Sequence, residues 1–441
     1  MPVNFSALQH LLHNRDAAGL CAALAGWFGP NGRIAEMVRF AISEAWNPEQ
    51  VPAVDAMEAA FLRQIGALHA HGAFRAGRGG WSAERAIRTA PRSLDPLARD
   101  EGPAGWSVPQ VLNFLLLREI PRRARAAVVA TVRDEALGLV EWVAHYRVLG
   151  FERIFVYTNH NSDGTDALLD CLARHGLVRV IHNEIDLRYS PQRKAYAHAL
   201  QCLPDLYECA WAFFVDADEF YVPASGWSID GLLDGAERAF PAHPPAGVLV
   251  DWRWYVSGAR FEYAPGLVQE RFRHFQPHGG FKSMVRLGEA VSMRQVHYPE
   301  PLPGGFLVDS DLTPLEKGDI WAKPASSGQG GYLNHYWSKS FEEFSIKKAR
   351  GDTLAANAHG EWARTFDQFF TWNGAETASN LSPQPEALLR RVTAEHDRIM
   401  ALPEVAGHVA HARALLPEML ARFEAAGGLR HIYDTLRQRG P

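Results

Sequence analysis

Apolar and polar positions alternate in two different textures along this chain. From the start to about Arg125, apolar residues recur at helical spacing in short, interrupted runs: Leu8, Leu11 and Leu12, then Met57, Phe61, Leu62, Ile65 and Leu68. Breakers such as Phe28-Gly29-Pro30-Asn31-Gly32 separate them. From Ala126 the texture becomes strand then helix in strict turn, which predicts βαβ units and a parallel sheet. Residues 126–132 read as the first strand, followed by a helix with Leu137, Val140, Ala144 and Val148 on one face and Gly150 as its stop. Residues 153–157 form the second strand, and the next helix carries Leu168, Leu169 and Leu172 and ends at Gly176. Residues 177–181, a helix from near Gln192, and the strand 211–215 complete the series. Right-handed crossovers would lay the four strands in one sheet.

After Pro223 shorter β-rich runs take over, at 248–256, 267–275 and 281–287. The segment Val296-His297-Tyr298 precedes a Pro/Gly-rich stretch, 299–305, that reads as a loop. Residues 333–340 lead into a helix with Phe341, Phe344, Lys347 and Lys348. Beyond Leu381 the pattern is helical again, with Leu388, Val392 and Ile399, then 409–420 broken at Pro417. No internal repeat is present. The glycine-rich stretch 75–80 has no apolar strand before it and no Gly-Lys-Ser/Thr after it, so it reads as a connector rather than a phosphate loop.

The fully apolar run 211–215 continues without a break into Asp216-Ala217-Asp218-Glu219, placing carboxylates where a buried strand should end. Ligands of open α/β sheets collect beyond the carboxyl ends of the strands. In a tight turn Asp216 and Asp218 could aim at one hard cation; the plainer reading is a pair of solvated turn acids. The earlier strands also deliver polar residues to that rim: Arg133 and Glu135, then Asn159 to Asp163. Each has an ordinary reading, since Ser162 or Asp163 can cap a helix and Glu135 can sit in a first turn. Three such groups on one rim favour a nucleotide-binding crevice.

Composition narrows the class. At 441 residues and 47% apolar content, two or three compact units are expected. No run of about eighteen apolar residues occurs, and the first residues lack the regions of a signal peptide, so the expectation is a cytoplasmic protein without a transmembrane segment. Four cysteines without a Cys-x-x-Cys pair indicate neither a zinc site nor a disulfide framework. A net charge of −5 argues against a nucleic-acid partner, and the basic patch from Pro121 to Arg125 reads as a solvated linker, although it leaves peripheral contact with anionic lipid open.

From Ala127 to about Arg350, the sequence resembles the GT-A glycosyltransferases of the family-92 and related bacterial family-2-like type. The strings that carry this are TVRDEALGLVEWVAHYRVLGFERIFVYTNHNSDGT, QRKAYAHAL, FFVDADEFYVP, ERF…FKSMVR…VHYPEP and LNHYWSKSFEEF, in this order. The resemblance implies an α/β fold with a GT-A, Rossmann-like and mostly parallel core at 125–350; the helical regions at 1–124 and 351–441, read from periodicity, lie outside it. It implies transfer of a sugar from a nucleoside diphosphate donor, first expected to be a UDP-sugar, to a hydroxyl of a carbohydrate or glycolipid acceptor. Mn²⁺ or Mg²⁺ is the implied cofactor, held by Asp216 and Asp218. Thr131, Arg133, Glu135, Asn159 and Asp163 match positions that line the nucleoside pocket. Two departures leave the base open: Arg133-Asp134-Glu135 stands where relatives commonly have Lys-Asn-Glu, and His160 where many have an acid.

A cation on two carboxylates would neutralise the departing diphosphate, and one imidazole would tilt the site toward Mn²⁺. By resemblance His335 supplies that imidazole and Lys339 meets the diphosphate; His297, with Lys282 as cationic neighbour, is the alternative. Gln192 and Arg193 are placed to touch phosphate or donor sugar, or form an ordinary polar helix face. Inversion, which the resemblance favours, needs a carboxylate base. Asp251, Glu270, Asp309 and Asp311 are available, with Glu270 preferred for its place in the Glu-Arg-Phe string, against a salt bridge to Arg271 or Arg273. Trp252, Trp254, Tyr255 and Phe306 form either an acceptor platform or core. A nucleotidyltransferase would need a glycine-rich basic loop after the first strand, which Thr131 to Leu137 does not provide, and a non-catalytic binding module is disfavoured by the intact acid pair.

Overall fold

A computed structural model describes residues 4–43, 51, 53, 58–63, 65, 87–89, 106–185, 190–224, 228–294, 296–316, 318, 320–350, 365–373, 380–381 and 385–439. The expected helix positions Met57 and Leu68 and the connector at 75–80 lie outside these residues.

The strands, in chain order, are β1 (Ile87–Arg88), β2 (Ala124–Val132), β3 (Arg153–Thr158), β4 (Arg179–His182), β5 (Cys209–Phe214), β6 (Glu219–Val222), β7 (Gly247–Val256), β8 (His274–Arg286), β9 (Ala290–Arg294), β10 (Tyr298–Pro301), β11 (Leu307–Asp309), β12 (Tyr332–His335) and β13 (Asn380–Leu381). Eleven of them make one sheet in the order β1-β4-β3-β2-β5-β8-β7-β12-β6, with β11 beside β7 and β13 beside β8. The four expected βαβ strands are adjacent and parallel: β2 pairs with β3 from Ala127 beside Arg153 to Val132 beside Thr158, and on its other edge with β5. Only β8 and β6 oppose the common direction, each lying antiparallel between or beside strands that keep it. The mixed α/β fold with a mostly parallel sheet thus agrees with the sequence reading.

Alternation along the strands sorts the core into two layers. Ala126, Val128, Ala130 and Val132 face the helices Ala136–Val148, Thr165–Arg174 and Glu386–Met400, while Ala127, Val129, Phe155 and Tyr157 face Pro191–Cys202 and Val108–Arg118. The second layer continues into Phe5, Leu8 and Leu12 of the first helix, so the N-terminal helices share a core with the sheet. In the same way the 351–441 region lays Leu388, Val392 and Ile399 against the first layer.

Four local expectations change. The helix Ala136–Val148 is buried nearly all round, from Leu139 to Tyr146 without a break, because its polar groups are taken up by later elements: Glu141 accepts from the Val268 and Gln269 amides, His145 meets the Tyr221 carbonyl, and Trp142 and Tyr146 donate to the Asp216 and Glu219 carbonyls. Residues 267–275 are not one β run: Val268–Arg271 turns as a short helix whose first N–H groups donate to Glu141, with Val268 at 2.6 Å. The Pro/Gly stretch after Tyr298 begins as β10, paired antiparallel with β9. The helix Val405–Ala421 runs through Pro417. Among the described residues no helix is long and apolar enough to cross a membrane.

Candidate active site

At the end of β5 the chain turns through Asp216 to Glu219, and the turn is pinned from several sides. The Glu219 amide donates to the Asp216 carbonyl at 3.1 Å, and the Asp216 amide to Glu219 Oε2 at 2.8 Å. Trp142 Nε1 donates to the Asp216 carbonyl at 3.1 Å, Tyr146 to that of Glu219 at 3.0 Å, and the Tyr336 amide to that of Asp218 at 2.9 Å. A turn with so many satisfied backbone groups holds its two aspartates in fixed directions.

Those directions differ. Asp216 accepts from Gln192 Nε2 at 2.5 Å and faces the buried Lys282 ammonium at 3.0 Å. Asp218 is bound by Lys347 and lies 3.6 Å from His335 Nε2. Burial alone would push the Asp218 carboxyl up, but the Lys347 ammonium and the His335 ring outweigh it and hold it well below the usual carboxylate range. Glu219, fully buried, is held well above that range by burial against the pull of Lys282. Its Oε1 and His335 Nδ1 are buried without partners, 3.9 Å apart and too far for a hydrogen bond.

The helix Phe341–Arg350 completes the cluster. It begins with a reciprocal box, Glu343 N to Ser340 Oγ at 3.3 Å and Ser340 N to Glu343 Oε2 at 3.1 Å. Glu343, Lys347 and Arg350 then fall on one inward face, reaching Arg271, Asp218 and Glu135. Glu135 meets Arg350 at 2.7 Å and Lys339 at 3.4 Å; burial opposes its charge, but the two cations bring it down to about 2. Sequence reasoning treated Lys347 only as a helix position and did not single out Arg350, Glu343 or Glu219. The signal was the Ser-x-x-Glu start followed by polar residues at spacings of four and three.

The other expected site residues divide. Lys282, Lys339, Gln192 and His335 join the cluster. Asp163 caps two helices at once, accepting from the Ala136 amide and the Thr165 amide, each at 2.9 Å, so both its oxygens hold backbone. Thr131 and Asn159 are buried on the same rim, and Asn159 Nδ2 has no partner. Arg133 is half-buried there with Nε unpartnered, and the Arg193 amide donates to Ser190 Oγ at 3.3 Å. Glu270 is exposed on the short helix tethered to Glu141, and neither alternative salt bridge forms: Arg271 pairs with Glu343, and Arg273 donates to the Glu270 carbonyl. Asp309 and Asp311 cap turns, while Asp251 binds Lys323 and the Ser326 amide. His297 is kept neutral, lowered to about 3 by burial and by Lys282, with Nδ1 on the Phe281 carbonyl at 3.0 Å. Tyr255 is core and Phe306 packs on Phe240, so neither belongs to an acceptor platform. Trp252 and Trp254 instead flank His335, with ring centroids at 4.7 and 5.3 Å.

Asp216, Asp218 and His335 do not gather their donor atoms as a ready ligand set. Among the described residues, the group of three with ligand atoms within 4.8 Å of one another is Cys171, Glu404 and His408. There burial raises the Cys171 thiol and Arg174 pairs with Glu404, so this group reads as a packing contact beneath the C-terminal helices.

The Trp252 ring lies over Gly280, where an added Cβ would come within 1.8 Å of it. Gly280→Ala is expected to cost about 1–3 kcal/mol by forcing the ring aside. A urea midpoint equal to that of the native chain would show that Trp252 moves freely.

Residues 129–348 match the model of Glycosyltransferase family 92. A Glycosyltransferase family 92 protein of Oryza sativa subsp. japonica is 29% identical over 102 residues, which is 22% of this chain and 16% of that protein. Another, from Ricinus communis, is 27% identical over 104 residues, 23% of this chain and 18% of that protein. The matched part therefore spans less than a fifth of either relative. Two crystal structures of S. aureus TarS overlay with a TM-score of 0.27: residues 1–349 at 12% identity, covering 71% of this chain and 91% of that one, and a longer form at 13%, covering 66% and 53%. Through residues 129–348, which hold the carboxylate turn, His335 and Lys347, the chain belongs to glycosyltransferase family 92.

Proposed function

We propose that the chain transfers a hexose from a nucleoside diphosphate donor, first of all a UDP-sugar, to a hydroxyl of a carbohydrate or glycolipid acceptor, with inversion, in the cytoplasm, as a step in building a surface polysaccharide or glycolipid. The observation that carries this reading is the ionised Asp218, buried with His335 and Lys347 beyond the end of a central parallel strand in the family-matched segment. Lys282, Lys339 and Arg350 supply positive charge around it, and diphosphate is the leaving group such a pocket suits.

The residue types fit a hard divalent cation: carboxylate oxygens, one imidazole, and two unpartnered buried polar atoms beside them, His335 Nδ1 and Glu219 Oε1. Asp216 and Asp218, with His335, would hold Mn²⁺ or Mg²⁺, which when bound would neutralise charge on the diphosphate. Lys282 and Lys347 fix the directions of the two carboxylates, and the aromatic wall of Trp252 and the buried Trp254 limits water beside them.

The test is a screen of UDP-, GDP- and CMP-sugars for slow hydrolysis by the native chain, with Mn²⁺ or with chelator. One donor class is expected to turn over, and only with the cation. Equal turnover in chelator would remove the metal, and no turnover of any donor would remove the enzyme.

A further inference from the structure

An ammonium already sits on Asp218, the carboxylate at the heart of the proposed cation site. Lys347 Nζ binds Asp218 Oδ2 and also donates to the Trp337 carbonyl at 3.2 Å, and both side chains of the pair are buried. Around it three cations, Lys339, Lys347 and Arg350, converge on two carboxylates, Glu135 and Asp218, while the neighbouring Arg271 and Glu343 cancel each other. Lys282, by contrast, meets Asp216 one to one at 3.0 Å. The side of the pocket that holds Lys347 therefore carries one positive charge in excess. A dication brought to Asp218 with Lys347 still in place would meet a like charge in a buried setting, where repulsion is several times stronger than in water.

The backbone of Lys347 is not free to relieve this. Its helix is fixed near the start by both Arg271 Nη atoms on Glu343, each at 2.9 Å, and at the end by Arg350 on Glu135 at 2.7 Å. What remains adjustable is the lysine's own four-carbon stem. Its head is a point charge without a preferred plane, able to leave one oxygen for another, as a planar guanidinium in a bidentate pair is not. A donor's diphosphate would bring the counter-charge that a displaced ammonium requires.

We propose that Lys347 is a built-in competitor of the divalent cation: its ammonium neutralises Asp218 in the unloaded chain, yields that carboxylate to the cation, and turns to the donor's diphosphate. This rests on the glycosyltransferase reading with its cation site, and gives that site a residue that makes cation binding weak until the nucleotide arrives.

The competition is read on the full chain without any donor sugar, by titrating Mn²⁺ and following the free ion by electron paramagnetic resonance, then by titrating UDP or GDP at saturating Mn²⁺. Lys347→Met is expected to bind Mn²⁺ about tenfold more tightly than the native chain, and the nucleotide about tenfold more weakly. A lysine with a merely structural role would not give opposite signs. Lys339→Met, which frees no oxygen of Asp218, should weaken the nucleotide yet leave Mn²⁺ affinity within about threefold of native. Because Lys347→Met strips a buried acid of its partner, it should unfold earlier in chelator, and Mn²⁺ should raise its unfolding temperature further than that of the native chain. Should it not fold, Lys347→Arg decides: a guanidinium keeps the charge and grips a carboxylate more firmly, so this variant should bind Mn²⁺ no more tightly than native. Mn²⁺ affinity unchanged or lowered in Lys347→Met, an equal gain in Lys339→Met, nucleotide affinity that does not fall, tighter Mn²⁺ binding by Lys347→Arg, or no Mn²⁺ binding at all overturns the assignment. The two readings fail separately. A chain that shows both affinity changes yet hydrolyses no donor would sink the enzyme and leave Lys347 in its role, whereas metal-dependent hydrolysis with unchanged affinities would do the reverse.

Discussion

Asp218→Asn is expected to lower donor hydrolysis by about 10²- to 10³-fold, the size of effect seen when one charge-stabilising group is removed from an active site. Asp218 is ionised, buried, and shared between Lys347 and His335. The substitution keeps the shape but leaves the Lys347 ammonium buried without its counter-charge, so lost activity alone could reflect lost stability. The double variant Asp218→Asn with Lys347→Met separates the two. Removing both charges should recover most of the stability, because a buried pair replaced as a unit costs far less than a broken one. If Asp218 serves the donor, turnover stays low in the stable double variant. Recovery of turnover together with stability would reduce Asp218 to a structural counter-ion and withdraw the catalytic assignment.

The βαβ half of the sheet was legible because strand burial and helix periodicity act locally: 126–132, 153–157, 177–181 and 211–215 all became parallel neighbours, shifted by a residue or two at their ends. What escaped depends on partners distant in sequence. Periodicity gave Ala136–Val148 one apolar face, but the other is closed by Val268 and Gln269, more than a hundred residues later, which donate to Glu141, and by the carbonyls of Asp216, Glu219 and Tyr221. The Leu267–Phe275 run looked extended, yet Glu141 provides a carboxylate that caps a helical turn there. In the site, strand ends pointed to Asp216 and Asp218 because burial followed by acid is a local signal. The cations that fix them come from β8 and from the helix after β12, and a lysine on a helix normally reads as solvated. Asp163 follows the plainer of its two readings, its carboxylate closing two helix ends on that rim.

Glu135→Gln is expected to destabilise the fold by about 3 kcal/mol near neutral pH, and this deficit should shrink in acid. Glu135 joins the first strand's rim to the late helix: Lys339 and Arg350 both converge on it, and Arg350 also donates to the Asp134 carbonyl at 3.1 Å. A glutamine there keeps one acceptor but leaves two buried cations without a counter-charge. The lowering from 4.5 to about 2 corresponds, at roughly 1.4 kcal/mol per pKa unit, to about 3 kcal/mol. Because the folded value lies below the unfolded one, this stabilisation is complete above about pH 4.5 and is lost as pH falls toward 2. Urea unfolding of native and variant chains across pH 7 to the lowest value at which both fold should therefore show curves that converge below pH 4.5. A gap that stays constant through that window would mean that Glu135 contributes through packing and hydrogen bonding, and that its charge does not hold the late helix against the sheet.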